Sequence, residues 1–481
     1  MTEHLAVDLG AESGRVIHGS VRDGRLSLEE VSRFANEPLC LPDGLHWDVA
    51  GLFKNIVAGI GEARAATVGI DSWGVDYGLI DRKGTLLELP FHYRDSRTEG
   101  AVDKAFALVP RDELYSRTGI QTLPINTVYQ LLAEERTGAL AAADRLLLIP
   151  DLLAFWLTGQ ASNEITDAST TGLLDARSCE WALPLIERLG LPTGIFGELA
   201  EPGTDLGPML DLHGVGSQID VLAVAGHDTA SAFVATPVRD DRSAIISSGT
   251  WSLVGMEVDQ PVLDERACGF DLTNERGVDG TIRLLRNVMG LWLLQECRRA
   301  WATDYEQLAR LAEEAPREVP MFDPDDERLL APDDMPRRLA GAISDLGQTA
   351  PDGRGEIVRS LLTSLACKYR LVIERLELVT GRSIETIHVI GGGTRNWLLC
   401  RLTADISGRQ VVAGPVEASA IGNLLIQARA RGELGSLTEI REVVAASFPP
   451  EVHEPSRARD DWEEVYHRFL NLTGLAARAA A

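Results

Sequence analysis

Cysteine is sparse in this chain: six residues, at positions 40, 179, 268, 297, 367 and 400, none of them in a CxxC pair. That spacing suits neither a disulfide framework nor a zinc site, and it points to idle thiols in a reducing compartment. Positive charge is also short. Lys and Arg total 46 against 72 Asp and Glu, for a net charge of −26, and no Lys/Arg-rich run occurs. Such a field repels nucleic acid and anionic membranes. Long apolar runs are missing too. The strongest, LLLIPDLLAFWLTG, is broken by Pro150 and Asp151 and is too short to span a bilayer. Glu3, His4 and Asp8 near the start do not fit a secretory signal. A cytoplasmic protein with no nucleic-acid or membrane partner is expected. GxGxxG, GxxxxGK[ST] and HExxH are absent, which removes the dinucleotide fingerprint, the P-loop and the zincin helix.

What remains is an ordinary globular composition, 45% apolar and 25% charged, over 481 residues, enough for two or three domains. Two segments read as one device used twice. LAVDLGAESGRVIHGSV and AIISSGTWSLVGMEV are each an apolar run, a Gly/Ser turn and a second apolar run, the pattern of a β-hairpin. Turns of this kind expose N–H groups and hydroxyls to phosphate oxygens. Asp8 ends the first run, where it suits a hydrated Mg²⁺ or an ordinary turn. Gly10 and Gly14 allow a tight turn and Arg15 can add charge-assisted contacts, whereas Glu12 is expected to face away from a phosphate. Thr250 is the hydroxyl donor of the second turn.

Gly226-His227-Asp228-Thr229 lies between the apolar run VLAVA and a helical pattern. A carboxylate there suits either a helix cap or a base that takes a proton from an attacking hydroxyl. Gly391, Gly392 and Gly393 stand between a strand and a helix and allow close approach of a ring or phosphate. Asp71-Ser72-Trp73-Gly74-Val75-Asp76 and His92-Tyr93-Arg94-Asp95 combine aromatics with charge, suited equally to a sugar or to a core. The spacing predicts strands over 1–90, helices over about 97–195 including TVYQLLAEERTGALAAADRLLL, and a second half repeating that order. PMFDPDDERLLAPDDMPRRL is expected to be an irregular surface loop.

Taken together, DLGAESGR, GIDSWGVDYGLID, YRDSR, GHDTASA, SSGTWSLVG, NVMGLWLLQ and GGGTRN resemble the FGGY carbohydrate kinases, in that family's order, over about residues 4–430. GHDTAS differs from the GDQQ-type phrase of glycerol kinases and the GGGDN-type phrase of xylulokinases, and the likeness is nearest to members acting on L-rhamnulose. The resemblance implies an α/β fold of two actin-like, ribonuclease-H-like ATPase domains with an interdomain cleft. The expected division is 1–238, 239–450 and a C-terminal helical tail, 451–481. It implies ATP and Mg²⁺ as cofactor and metal, a small-molecule ketose as partner, and a monomer or small homo-oligomer. The reaction implied is phosphorylation of L-rhamnulose at O1; the alternatives are a kinase for L-fuculose or a pentulose, or a non-catalytic actin-like sugar sensor. Asp228 falls on the family's catalytic base and Asp8 on its metal-associated aspartate, acting through water. Ala11, Glu12, Ser13, Gly14, Arg15 and Thr250 fall on phosphate loops. Gly74, His227, Asp228, Thr229 and Asn287 fall on sugar contacts, and Gln295 with Gly391, Gly392 and Gly393 on the adenine-nucleotide side. Asn287 and Gln295 are placed on one helix, about two turns or ~12 Å apart.

Overall fold

The computed structural model describes residues 2–134, 138–212, 214–215, 218–330, 334–456 and 459–475. These form two compact units. The first comprises 1–237, 258–284 and 418–447, and the second 238–257, 285–417 and 448–481. The expected division at 238/239 differs from this, because 258–284 and the helix Ala418–Ala430 pack with the first unit.

In the first unit a six-stranded sheet runs, edge to edge, Asp205–Pro208, Asp220–Leu222, Thr67–Ser72, His4–Leu9, Ser13–Arg22, Arg25–Ala35. His4–Leu9 is antiparallel to Ser13–Arg22 and parallel to Thr67–Ser72. Both strands of that parallel pair are buried along their whole length, which explains their apolar centres, Leu5-Ala6-Val7 and Val68-Gly69-Ile70. One face packs on the helix Val49–Gly61, begun by an Asp48 side chain that accepts from the Gly51 N–H. The other packs on Ala418–Ala430, whose Ala420 and Leu424 meet Ala6 and Ile17.

The second unit repeats the pairing pattern. Ser243–Ser248 is antiparallel to Ser252–Val258 and parallel to Thr386–Ile390, which is followed by Gln410–Ala413 and Glu451–His453. The helix Arg354–Thr380, 27 residues long, is buried over most of its surface. No helix among the described residues is long and apolar enough to cross a membrane.

Several local expectations are corrected. Within TVYQLLAEERTGALAAADRLLL the structure has helices Thr127–Ala133 and Ala139–Ala142, then a strand, Arg145–Leu148, antiparallel to Tyr77–Ile80; residues 135–137 lie outside the described set. The apolar triplet Leu146–Leu148 is buried as strand rather than helix because it pairs there. The Pro/Asp-rich segment from Pro320 is no surface loop: Met321, Phe322 and Leu329 are buried, and Met335–Asp345 is a helix. Residues 331–333 of it are outside the described set. The expected tail begins as an edge strand, and its helix Arg459–Thr473 buries Trp462, Tyr466 and Phe469. The expected Ala-rich end, 476–481, is outside the described set.

The helix Ala418–Ala430 approaches Asp228–Val234 so closely that a Cβ on Gly422 would sit 1.8 Å from the Ser231 carbonyl oxygen. Gly422→Ala is expected to cost about 3 kcal/mol of stability through overpacking. Urea unfolding checks this: an unchanged midpoint would contradict the packing described.

Candidate active site

The parallel register sets Asp8 opposite Asp71 at the carboxyl ends of their strands. Ser72 continues the sheet by bridging to His227, and the Ser72 N–H donates to the Gly226 carbonyl at 2.9 Å. Asp228 follows at once, on the first turn of the helix Asp228–Val234. Three acids therefore collect where α/β sheets gather reactive groups. Burial first, then the charges of Asp8 and Asp228, holds the Asp71 carboxyl well above the usual carboxylate range. Asn423 donates to Asp71 Oδ2 at 2.6 Å, and Asp71 Oδ1 is buried without a partner. Arg15 donates to Asp8 Oδ2 at 2.5 Å.

Asp228 is the most open of the three, its side chain 32% exposed. Thr229 donates its hydroxyl to Asp228 Oδ1 at 3.0 Å, and His227 Nε2 lies 3.4 Å from that oxygen. The fully buried Arg283 lies 3.2 Å from His227 Nδ1. His227 Nδ1 also lies 3.5 Å from Glu275 Oε2, so this nitrogen faces both a guanidinium and a carboxylate. Glu275 pairs with Arg283 at 3.0 Å. Asp228 thus accepts from the Thr229 hydroxyl with the His227 ring beside it, and it does not cap its helix, a place His227 takes.

Glu164 anchors the same segment. Its carboxylate accepts from the N–H groups of Thr166, Asp167 and Gly226 and from the Thr166 hydroxyl, at 2.6 to 3.1 Å. Burial nevertheless pushes its pKa up to about 7. Beside it, both oxygens of the buried Asp167 lack partners. Asp167 Oδ1 and Thr170 Oγ1 each lie 3.0 Å from where a Gly74 Cβ would stand. Val75, next in sequence, has φ +71. That is a strained value for a β-branched residue, held by Thr170 Oγ1 on its N–H and by the Thr127 hydroxyl on its carbonyl. The adjoining aromatics are core: Trp47 and Trp73 both donate to Asp76 Oδ2, and Gln130 holds the other oxygen.

In the first turn, Gly10 N–H donates to the Ser13 carbonyl, and Asn36 holds the Gly10 and Glu12 carbonyls. Glu12 is exposed. A Cβ on Gly14 would lie 2.2 Å from the Phe34 ring, so that glycine is required by packing against the neighbouring strand.

In the second unit, the turn Gly249-Thr250-Trp251 joins its two strands, and the N–H groups of Leu291 and Trp292 donate to the Gly249 and Thr250 carbonyls at 3.2 and 3.0 Å. Gly393 abuts the same turn: a Cβ there would be 2.0 Å from Ser248 Oγ. Gly391, at φ +82, faces the Ser248 carbonyl. A cavity of about 590 Å³ is lined by Gly249, Gln295, Gly392, Gly393, Tyr305 and Trp397 among others. Its size suits a nucleoside, and Gln295 Oε1 is buried beside it with no partner. Asn287 is not on the helix with Gln295. It is the next-to-last residue of the strand Ile282–Val288, and the helix Trp292–Trp301 starts after Gly290, where a Cβ would strike the Ser252 backbone at 2.6 Å and the chain must bend.

Sequence reasoning missed Glu164 and Asp167 in one segment, Glu275 and Arg283 on two further strands, and Asn423 with Gln427. The last two had a signal, a polar pair four apart on the apolar helix ASAIGNLLIQARA. Gln427 donates to Asn423 Oδ1 at 2.7 Å and accepts from Thr67. Among the described residues no group of three or more His, Cys, Asp or Glu is arranged to hold a metal directly.

Residues 48–235 match the model for the N-terminal domain of the FGGY family of carbohydrate kinases, and 244–431 that for its C-terminal domain. The chain belongs to this family, and is a phosphotransferase acting on a sugar hydroxyl. Similar curated proteins include the rhamnulokinases of Bacteroides thetaiotaomicron, 42% identical over 97% of this chain and 98% of that one, and of Enterococcus faecalis, 41% identical over 98% of each. That of Bacillus subtilis is 40% identical over 94% of this chain and 95% of its own. Among solved structures, xylulose kinase from Lactobacillus acidophilus superposes with a TM-score of 0.82 at 16% identity, covering 99% of both chains. Plasmodium falciparum glycerol kinase with ADP gives 0.79 at 17% identity and covers 98% of each. These establish the two-domain fold.

The raised Glu164 pKa has a definite sign. The folded state favours the protonated form, so its contribution to stability is full below the ordinary value of 4.5 and is lost as pH climbs through about 7. Between pH 5.5 and 8 the protein is expected to lose about 2 kcal/mol that Glu164→Gln, which cannot ionise, does not lose. Urea unfolding of both at the two pH values measures the difference; parallel losses would contradict it.

Proposed function

We propose that this chain transfers the γ-phosphoryl group of ATP to O1 of L-rhamnulose, giving L-rhamnulose 1-phosphate and ADP. The observation that carries the chemistry is Asp228: a partly open carboxylate beside the carboxyl ends of the strands, oriented by the Thr229 hydroxyl, with the His227 ring 3.4 Å away. The choice of ketose rests on full-length similarity to proteins curated as rhamnulokinases.

In the proposed step the O1 hydroxyl attacks the γ-phosphorus as its proton passes to Asp228. The O1–phosphorus bond forms, and the bond to the bridging oxygen breaks, leaving ADP. Gly74, His227 and Thr229 orient the ketose, and Asn287 is assigned a sugar contact as well. Gly74 suits this task because the strained Val75 fixes its peptide in one orientation. The cavity at Gln295 receives the nucleoside: its orphaned carbonyl oxygen needs a donor, and the Gly392–Gly393 floor admits a flat ring. Thr250 is assigned to donate to phosphate oxygens, and so is the turn from Ala11 to Arg15. Bound Mg²⁺ neutralises charge on the transferring phosphates. Asp8 suits it through water, since Mg²⁺ keeps much of its hydration shell and no direct multi-carboxylate cage exists among the described residues. Asp71, pushed toward the neutral form, limits the repulsion that a third negative charge would add.

Asp228→Asn is expected to lower kcat by about 10²–10⁴-fold while leaving nucleotide affinity within about twofold. A ketose panel assayed with ATP should give its highest kcat/KM for L-rhamnulose. Near wild-type turnover by the Asn variant would remove the base; a preference for L-fuculose or a pentulose would reassign the substrate.

A further inference from the structure

The segment from Pro320 to Asp326 is stitched along one face of the helix Arg354–Thr380. Ser360 Oγ donates to the Pro320 carbonyl at 2.5 Å, Ser364 Oγ accepts from the Phe322 N–H at 3.2 Å, and Lys368 Nζ donates to Asp323 Oδ1 at 2.7 Å. These three side chains stand four residues apart, the spacing that lines one side of a helix. Lys368 is only 1% exposed and also reaches Asp325 Oδ2 at 2.9 Å. Asp325 in turn accepts the Met289 N–H on Oδ1 at 2.9 Å and lies 3.3 Å from Arg286. Burial works against its charge, yet Lys368 and Arg286 hold its pKa below the usual range.

What Asp325 grips is the bend from the strand Ile282–Val288 into the helix Trp292–Trp301. Asn287 sits between its two gripped residues, Arg286 and Met289. Immediately after Met289, Gly290 presses on the Trp251–Ser252 backbone, and the Leu291 and Trp292 N–H groups hold the Gly249 and Thr250 carbonyls. The chain of contacts therefore runs unbroken from Lys368 through Asp325 and Met289 to the turn that carries Thr250. We propose that Asp325 and Lys368 are positioning residues for phosphoryl transfer, setting the placement of Thr250 and Asn287 by clamping the 289–292 bend. This rests on the reading that Thr250 and Asn287 contact the substrates. Burying an ion pair is a poor source of stability, since desolvation offsets the attraction, whereas its fixed geometry suits orientation.

The test compares Asp325→Ala, Asp325→Asn and Lys368→Met with the wild type in steady-state kinetics and thermal unfolding, alongside Thr250→Ala and Asn287→Ala. Misplacement of the turn is expected to lower kcat of Asp325→Ala and Lys368→Met by about 10–100-fold, with KM for ATP moved less than about threefold. Asp325→Asn keeps an acceptor for the Met289 N–H and is expected to recover most of the lost kcat relative to Asp325→Ala. Two results would overturn the proposal: kcat of Asp325→Ala within twofold of wild type, or equal kcat in the Ala and Asn variants with equal drops in melting temperature, the mark of a merely structural brace. If Thr250→Ala and Asn287→Ala both turn over normally, the reading of the turn has failed and the proposal falls with it. If those two are impaired and Asp325→Ala is not, the proposal alone has failed.

Discussion

Asp8, Asp71 and Asp228 are held close at one end of a sheet against their mutual repulsion. Strand register fixes the first two, and the bridge from Ser72 to His227 brings the third. The arrangement persists because its charges are unequal. Asp71 is buried and pushed toward neutrality, Arg15 faces Asp8, and Asp228 stays partly in water. Much of the surrounding structure maintains that inequality. Asn423 and Gln427 project from a helix that can approach only because residue 422 is glycine. Glu164 spends a buried carboxylate on tying down Gly226, one residue from His227. The cost of that burial appears as a raised pKa, an expense common where geometry matters more than stability.

The two units share a strand-pairing scheme but load it differently. In the first, the end of the parallel pair carries acids. In the second, the corresponding hairpin turn carries Ser248, Gly249 and Thr250 against a floor of glycines, with a nucleoside-sized cavity beside it. In the proposed reaction the first unit supplies the acid that takes the proton and the second the pocket that receives the nucleoside. This division follows from the side chains that each turn presents rather than from any difference in backbone plan.

Much of this was legible in the sequence where the signal is local. Both hairpins announce themselves through apolar runs interrupted by Gly and Ser, and GHDTAS by its place between a strand and a helix. Other features depend on partners distant in the chain. NVMGLWLLQ reads as one apolar helix because nothing local shows that Gly290 must bend around Ser252. PMFDPDD has the composition of a solvated loop, yet its acids face Lys368, a buried lysine that only these partners explain. Gly14 reads as a phosphate-loop glycine, and its packing against Phe34, a second reason for glycine there, has no local signal. Arg283, Glu275 and Asp167 carry no motif; only folding brings them behind His227. The Asn423–Gln427 pair is the exception, since two amides one turn apart in an apolar helix signal a buried polar ladder.

The central claim is that the acid at position 228 drives transfer from ATP to one hydroxyl of a ketose. Phosphorus and carbon NMR of a reaction of the protein with ATP, Mg²⁺ and L-rhamnulose tests it most directly. The account predicts ADP formed only when sugar is present, in equal amount to a single phosphate ester whose phosphorus couples to C1. ADP released without sugar, or an ester at any other carbon, would contradict it.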